Sequence, residues 1–190
     1  MMAKFFGNLN AVVATGFLLM LALLFWSNSS ANTIGWMTFL HVISGVMWIG
    51  LLYYFNFVQM PTMPKVPAEL KPAISKYIAP SALFWFRYAA LATVVTGLLV
   101  SILKGYAHQA FTFQAGYRLI GVGMYLALIM AFNVWFVIWP NQKKALGLVE
   151  ADADTKAKAA TTAMIFSRTN TILSVPMLFA MVLQSLGGAL

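Results

Sequence analysis

Five long apolar runs, separated by short polar connections, dominate the pattern along this chain. They predict helices from about Asn10 to Trp26, Ile34 to Gln59, Ser81 to Leu103, Leu119 to Trp139 and Thr162 to Leu186. Each is near the roughly 20 residues that a helix needs to cross a bilayer. The second run is the most informative. Its positions 41, 45, 48, 52, 56 and 59 recur at helical spacing, so His41, Gly45, Trp48, Asn56 and Gln59 share one face. Polar side chains are costly in lipid and ordinarily turn into a bundle, which makes this stripe the first candidate for function.

Composition agrees with that pattern. The 190 residues are 62% hydrophobic and 8% charged, with a mean hydropathy of +0.83, the profile of a multi-spanning membrane protein. Cysteine is absent, which excludes disulfides, thiolate metal sites, iron–sulfur clusters and cysteine nucleophiles. The net charge of +8 does not imply nucleic acid, because the basic residues sit at helix ends and in loops. Lys4, Lys65, Lys71, Lys76, Lys143, Lys144, Lys156 and Lys158 fall on one side of the expected spans, and Lys104 and Arg118 on the other. By the positive-inside rule the N-terminus is cytoplasmic and the C-terminus periplasmic, in a bacterial inner membrane. Lys4 ahead of an apolar run, with Ser29-Ser30-Ala31 after it, resembles a signal peptide; with Met1 retained it is read as an uncleaved first span.

The connections carry their own signals. Residues 66–77, with Pro67, Pro72 and lysines among apolar positions, are expected to form a short interfacial helix. Residues 148–160 suggest a solvated helical extension of the fourth or fifth span. The loop over 105–116 is aromatic and holds His108.

An internal repeat is visible. Phe57, Val58 and Pro61 correspond to Phe136, Val137 and Pro140 at an offset of 79, and Ala82 and Arg87 to Ala163 and Arg168 at an offset of 81. Two copies in one orientation imply a pseudo-two-fold axis along the membrane normal. The expected fold is therefore all-α, an integral membrane protein of five transmembrane helices. Two parallel two-helix repeats (34–103 and 119–186) make a four-helix bundle, with the N-terminal helix (10–26) packed outside it. The whole chain, 1–190, reads as a single membrane domain.

Candidate chemistry gathers at two depths. Arg87, Arg168, Asn56, Gln59, Asn133 and Asn170 should lie toward the cytoplasmic side, and no acidic residue occurs in any predicted span to pair with the arginines. They either snorkel to lipid phosphates and helix-end carbonyls, or hold an anionic ligand between the repeats together with Asn56, Asn133 and Asn170. His41 lies fifteen residues from Asn56, about 22 Å along a helix axis, near the opposite surface. There a bundle-facing imidazole with Arg118 and Lys104 nearby suits a b-type haem, with His41 as the iron ligand, Trp48 beside it and Arg118 toward the propionates. The structural alternative is a histidine bonded to Ser44 or a neighbouring carbonyl. Ala89, Thr93 and Gly97 form a small-residue ridge expected to allow close helix contact. No Ser–His–Asp set, phosphate-cradling glycine loop or acidic metal cluster is present in the sequence, and no span carboxylate supports a proton path.

Four segments carry a family resemblance: His41-Val-Ile-Ser-Gly-Val-Met-Trp48 through Gln59; Leu83-Phe-Trp-Phe-Arg87 with Thr96-Gly97; Asn133-Val-Trp-Phe-Val-Ile-Trp-Pro140-Asn-Gln-Lys143; and Ser167-Arg-Thr-Asn170 through Met181. Together they resemble the membrane domain at the N-terminus of bacterial membrane-bound urate oxidases and its short stand-alone relatives. More loosely, the first resembles membrane haem proteins of the protoporphyrinogen-oxidase and copper-resistance types. The resemblance implies a helical membrane module tied to redox chemistry, joined in full-length relatives to a cytochrome c domain. His41, Trp48, Arg87, Asn133, Gln142, Arg168 and Asn170 occupy its motif positions. Thr169 and Gln184-Ser185 stand where relatives often carry histidine, and no Cys-x-x-Cys-His occurs in these residues.

The leading expectation is an inner-membrane subunit of redox type, holding one haem b through His41 and relaying electrons to a partner. That partner would be another membrane subunit or a cytochrome c-type protein. The alternative is a cofactor-free accessory subunit of a larger membrane enzyme. A third reading makes the chain itself an oxidoreductase of the urate-oxidase-like membrane type, acting on a small anionic heterocycle held by Arg87 and Arg168.

Overall fold

Apolar side chains fill the helical positions of this chain almost without interruption, and helix is what they form. The computed structural model describes residues 2–28 and 30–186, and among these there is helix and turn but no strand. Ser29 of the small-residue stretch, Met1 and 187–190 at the ends of the expected domain lie outside the described residues. The helices are α1 (Met2–Phe6), α2 (Leu9–Trp26), α3 (Thr33–Lys65), α4 (Lys71–Leu103), α5 (Ala107–Phe111), α6 (Arg118–Ala145) and α7 (Ala153–Ser185). Five of them, α2, α3, α4, α6 and α7, are long and apolar enough to cross a membrane.

The chain divides into two units, Met1–Trp36 and Met37–Leu190. The first holds α1, α2 and the start of α3. Asn8 caps α2, its side-chain oxygen accepting from the Ala11 N–H at 3.2 Å, and Asn32 caps α3 by accepting from the Gly35 N–H at 2.9 Å.

The second unit is an antiparallel arrangement of four long helices. His41 of α3 meets Thr93 of α4, and Asn56 and Tyr53 of α3 meet Ser167 and Ser174 of α7. Asn133 of α6 meets Asn170 of α7, and Arg87 of α4 lies on Trp139 of α6. These contacts make α3 parallel to α6, and α4 to α7. All of Lys65, Lys71, Lys76, Lys143, Lys144, Lys156 and Lys158 therefore fall at one end. The core between the helices is apolar and dense: Trp48, Leu52, Phe86, Ala90, Met130 and Val134 are 1% exposed or less. Outward positions are just as apolar, with Ile172 at 72% and Val175 at 63% exposure, a surface suited to lipid contact.

Three of the helices widen locally to π-helix, over Tyr54–Gln59, Ile74–Ile78 and Asn133–Ile138. Each widening ends two residues before a proline, at Pro61, Pro80 and Pro140. Proline lacks an N–H and its ring crowds the carbonyl four residues earlier. The preceding N–H groups of Met60, Ala79 and Trp139 accordingly bond five residues back, to Phe55, Ile74 and Val134. The widenings in α3 and α6 stand 79 residues apart, the offset of the sequence repeat. Both α4 and α6 stop at a glycine in the left-handed region, Gly105 (φ 75°) and Gly147 (φ 72°). At these stops Tyr106 N–H bonds Ser101 O and Leu148 N–H bonds Lys143 O, the six-residue closure that takes up otherwise unpaired carbonyls.

Two connections differ in detail from the sequence expectation. No separate interfacial helix forms over 66–77; after a turn near Pro67 the chain re-enters helix at Lys71 and runs on as α4. The extension expected over 148–160 is helical from Ala153, as the first turns of α7, because Asp152 caps that end. Thr155 N–H and Oγ1 donate to the Asp152 carboxylate at 2.8 and 2.7 Å, and these bonds hold its pKa below the ordinary carboxylate value.

Two outcomes follow. The depressed Asp152 pKa means that this cap contributes fully above the ordinary carboxylate pKa, near ~3.9, and is lost as pH falls through the lower folded-state value. Protection of the Thr155 amide from hydrogen exchange should fall with acid in the parent chain and stay level in Asp152→Asn, which keeps an accepting oxygen. In the bundle, a Cβ on Gly123 would stand 2.7 Å from the Ala180 Cβ. Gly123→Ala should therefore destabilise by about 1–3 kcal/mol, read as a lowered Tm in detergent, and adding Ala180→Gly should recover much of that. Gly50→Ala, with nothing within 4 Å of its new methyl, should cost nothing.

Candidate functional site

Two polar sites are built into the second unit. The first is at the end opposite the lysines. His41 is half-buried on α3, and its Nδ1 donates to the Thr93 carbonyl of α4 at 2.9 Å, with Thr96 Oγ1 at 3.5 Å. The ring lies over Gly97, where a Cβ would come within 2.8 Å of Cε1. The small-residue ridge of α4 thus makes room for a side chain from α3 rather than for its backbone. The carbonyl bond fixes the tautomer, because Nδ1 carries the proton and Nε2 keeps its lone pair. Nε2 makes no hydrogen bond among the described residues.

The second site is a belt of amides and hydroxyls deeper in the unit. Asn56 Nδ2 donates to Leu52 O and to Ser167 Oγ, both at 2.9 Å. Asn133 Nδ2 donates to Asn170 Oδ1 at 2.8 Å, and Asn170 Nδ2 donates to Met130 O at 3.0 Å. Tyr53 Oη and Ser174 Oγ share a hydrogen bond of 3.0 Å, and Ser174 donates onward to Thr171 O. Beside this belt the buried Arg87 guanidinium stacks on the Trp139 indole, 3.3 Å from its centroid.

The residues singled out in the sequence are distributed as follows. Asn56, Asn133 and Asn170 are buried and joined to neighbouring helices, chiefly to one another and to α7. Trp48 is wholly buried in the core, its Nε1 without an acceptor. The two arginines, treated alike in the sequence, differ in the structure: Arg87 is buried and Arg168 is exposed, because on α7 the inward positions are taken by Ser167 and Asn170. Arg118 is exposed and its Nε donates to Phe113 O at 3.3 Å; His41 touches Thr93, Thr96 and Gly97. His108 is exposed on α5. Among the described residues no three His, Cys, Asp or Glu side chains come together as a metal site.

Sequence reasoning gave Ser167, Ser174 and Tyr53 no part in a site and read Trp139 as a packing or interface anchor. The first two occupy the same helical stripe as Asn170, a spacing that could have revealed them.

Residues 98–187 match the family described as Urate oxidase N-terminal, which is the family whose motifs the sequence resembles. The match runs from the end of α4 through α7 and takes in a little under half of the chain. No curated protein and no solved structure matches the chain.

The belt generates one expectation. Asn170→Ala leaves the buried Asn133 amide without its acceptor and should cost about 1–3 kcal/mol, measured as thermal stability in detergent. Replacing both residues by leucine should cost less than the two single changes together, because no orphaned group then remains. Additive losses would show that the two amides do not depend on each other.

Proposed function

We propose that this chain is a membrane-embedded subunit of redox type that holds one haem b through His41 Nε2 and passes electrons to or from a partner. The observation that carries this reading is the state of His41. Its Nδ1 proton is committed to the Thr93 carbonyl, its ring is cleared by Gly97, and its remaining nitrogen has a free lone pair. A hydrogen bond from one ring nitrogen to a backbone carbonyl is how proteins orient an imidazole whose other nitrogen binds metal. Arg118 and Lys104 are the basic groups at that end of the second unit and would meet propionates. Haem, when bound, supplies one-electron chemistry at a potential tuned by its ligand and surroundings.

The membrane reading rests on the five long apolar helices and on the apolar outward positions of the second unit. Lysines gathered at one end support a cytoplasmic placement of that end in a bacterial inner membrane, with the C-terminus periplasmic. Within the unit we read two parallel two-helix repeats forming a four-helix bundle. The π-helical segments at matched positions support this, as does a shared core stripe: Phe86, Ala89 and Thr93 of α4 stand where Ser167, Asn170 and Ser174 stand on α7.

A cofactor-free accessory subunit is the second reading. It draws on exposed apolar side chains beside His41 on α3, Val42 at 57% and Val46 at 69%, which another membrane subunit could cover as readily as lipid.

The visible spectrum of protein purified from haem-replete cells separates the two. A Soret band that sharpens with dithionite, disappears in His41→Ala and survives in His108→Ala is the expected result. Gly97→Ala should also lower haem content, because its methyl displaces the imidazole without removing it. A colourless protein that co-purifies with a larger complex would replace the first reading by the second.

A further inference from the structure

Among the buried side chains of the described residues, Arg87 alone carries a charge. It is 9% exposed, its Nε and Nη1 are sealed from solvent, and neither has an acceptor. What it has is an aromatic face. The guanidinium lies 3.3 Å from the Trp139 centroid and 6.0 Å from that of Trp135. Lys143 Nζ lies 5.7 Å from the same Trp139 centroid. Two cations therefore share one indole.

Neither cation makes an ion pair with an acidic side chain among the described residues. All four acidic residues, Glu69, Glu150, Asp152 and Asp154, lie in connections or the first turn of α7. An indole face returns to a cation only a small part of what burying an ion with unmet hydrogen bonds costs. Trp135 adds a third sealed donor, its Nε1, also without an acceptor. Unmet donors on Arg87 and Trp135, with a second cation one turn along from Trp139, describe one missing partner, an anion with several acceptor oxygens. Trp139 sits where α6 passes from apolar residues into Lys143 and Lys144, the depth at which lipid phosphates lie.

The geometry points to an anion site formed by Arg87, Trp135, Trp139 and Lys143, taking a phosphate group, either free phosphate or the phosphodiester of an anionic lipid. Arg168 has no part in it. The site is independent of His41 and of any haem.

The test is a titration of the full chain, in an uncharged maltoside detergent, with inorganic phosphate, with phosphatidylglycerol, and with a glycolipid that has a sugar headgroup and no phosphate. Tryptophan fluorescence and Tm report binding. Saturable binding of phosphate or phosphatidylglycerol, and not of the glycolipid, is expected; which of the two binds identifies the source. Arg87→Lys keeps a charge but loses the planar fork, and should weaken binding about tenfold, as for one lost charge-assisted bond. Lys143→Gln, a milder change at a helix end, should weaken it by a smaller factor and guards against misfolding of the first variant. Equal binding of the glycolipid, or unchanged affinity in Lys143→Gln together with a folded Arg87→Lys, would overturn the assignment.

Discussion

Polar groups buried between apolar helices meet no solvent, so each must find its partner on a neighbouring helix or go without. That constraint organises the second unit. The Asn133–Asn170–Met130 chain and the Asn56–Ser167 bond tie α3, α6 and α7 at one depth, where hydrophobic packing alone sets register loosely. Leucine-like side chains slide past one another at little cost, whereas an amide displaced by one residue leaves donors unmet. The same logic reads the exceptions. His41 Nε2, oriented but with its lone pair free, and Arg87, buried without acceptors, are where that requirement goes unmet among the described residues.

The prolines belong to the same account. Pro61, Pro80 and Pro140 each break the backbone ladder of a long helix, which apolar surroundings require to be repaired locally, whereas Pro176 sits inside α7 without such a widening. The π-helical turns before Pro61, Pro80 and Pro140 make that repair. They also bear on the site: Asn56 lies inside the first of these turns, and Asn133 and Trp135 inside the third. The widened turn turns these side chains relative to the face that uniform helical spacing would give them.

Much of this was legible from the residues. The five apolar runs marked the long helices because nothing else accommodates that many apolar residues in sequence, and the lysines marked one end. Starts and stops were less legible: α3, α4, α6 and α7 each run past the apolar limits, since helix continues into polar residues once caps such as Asp152 and Gly147 define the ends. The Pro61–Pro140 match foretold a repeat but not the π-helical turns that go with it. The arginines show where pattern fails. Arg87 and Arg168 occupy matched positions, yet one is buried and the other exposed, because α7 gives its inward positions to Ser167 and Asn170 while α4 gives them to Phe86 and Arg87. Periodicity finds a face, but only packing says which of two adjacent residues turns inward.

Insertion in a bilayer requires that the outward faces of these helices meet acyl chains. Because the chain has no native cysteine, single cysteines can carry nitroxide labels without background. In liposomes, labels along α7 at Asp154, Ile165, Ile172 and Phe179 should pass from access by a water-soluble nickel relaxant at Asp154 to access by oxygen alone at Ile172. A nickel signal at Ile172 equal to that at Asp154 would place this face in water and contradict the account.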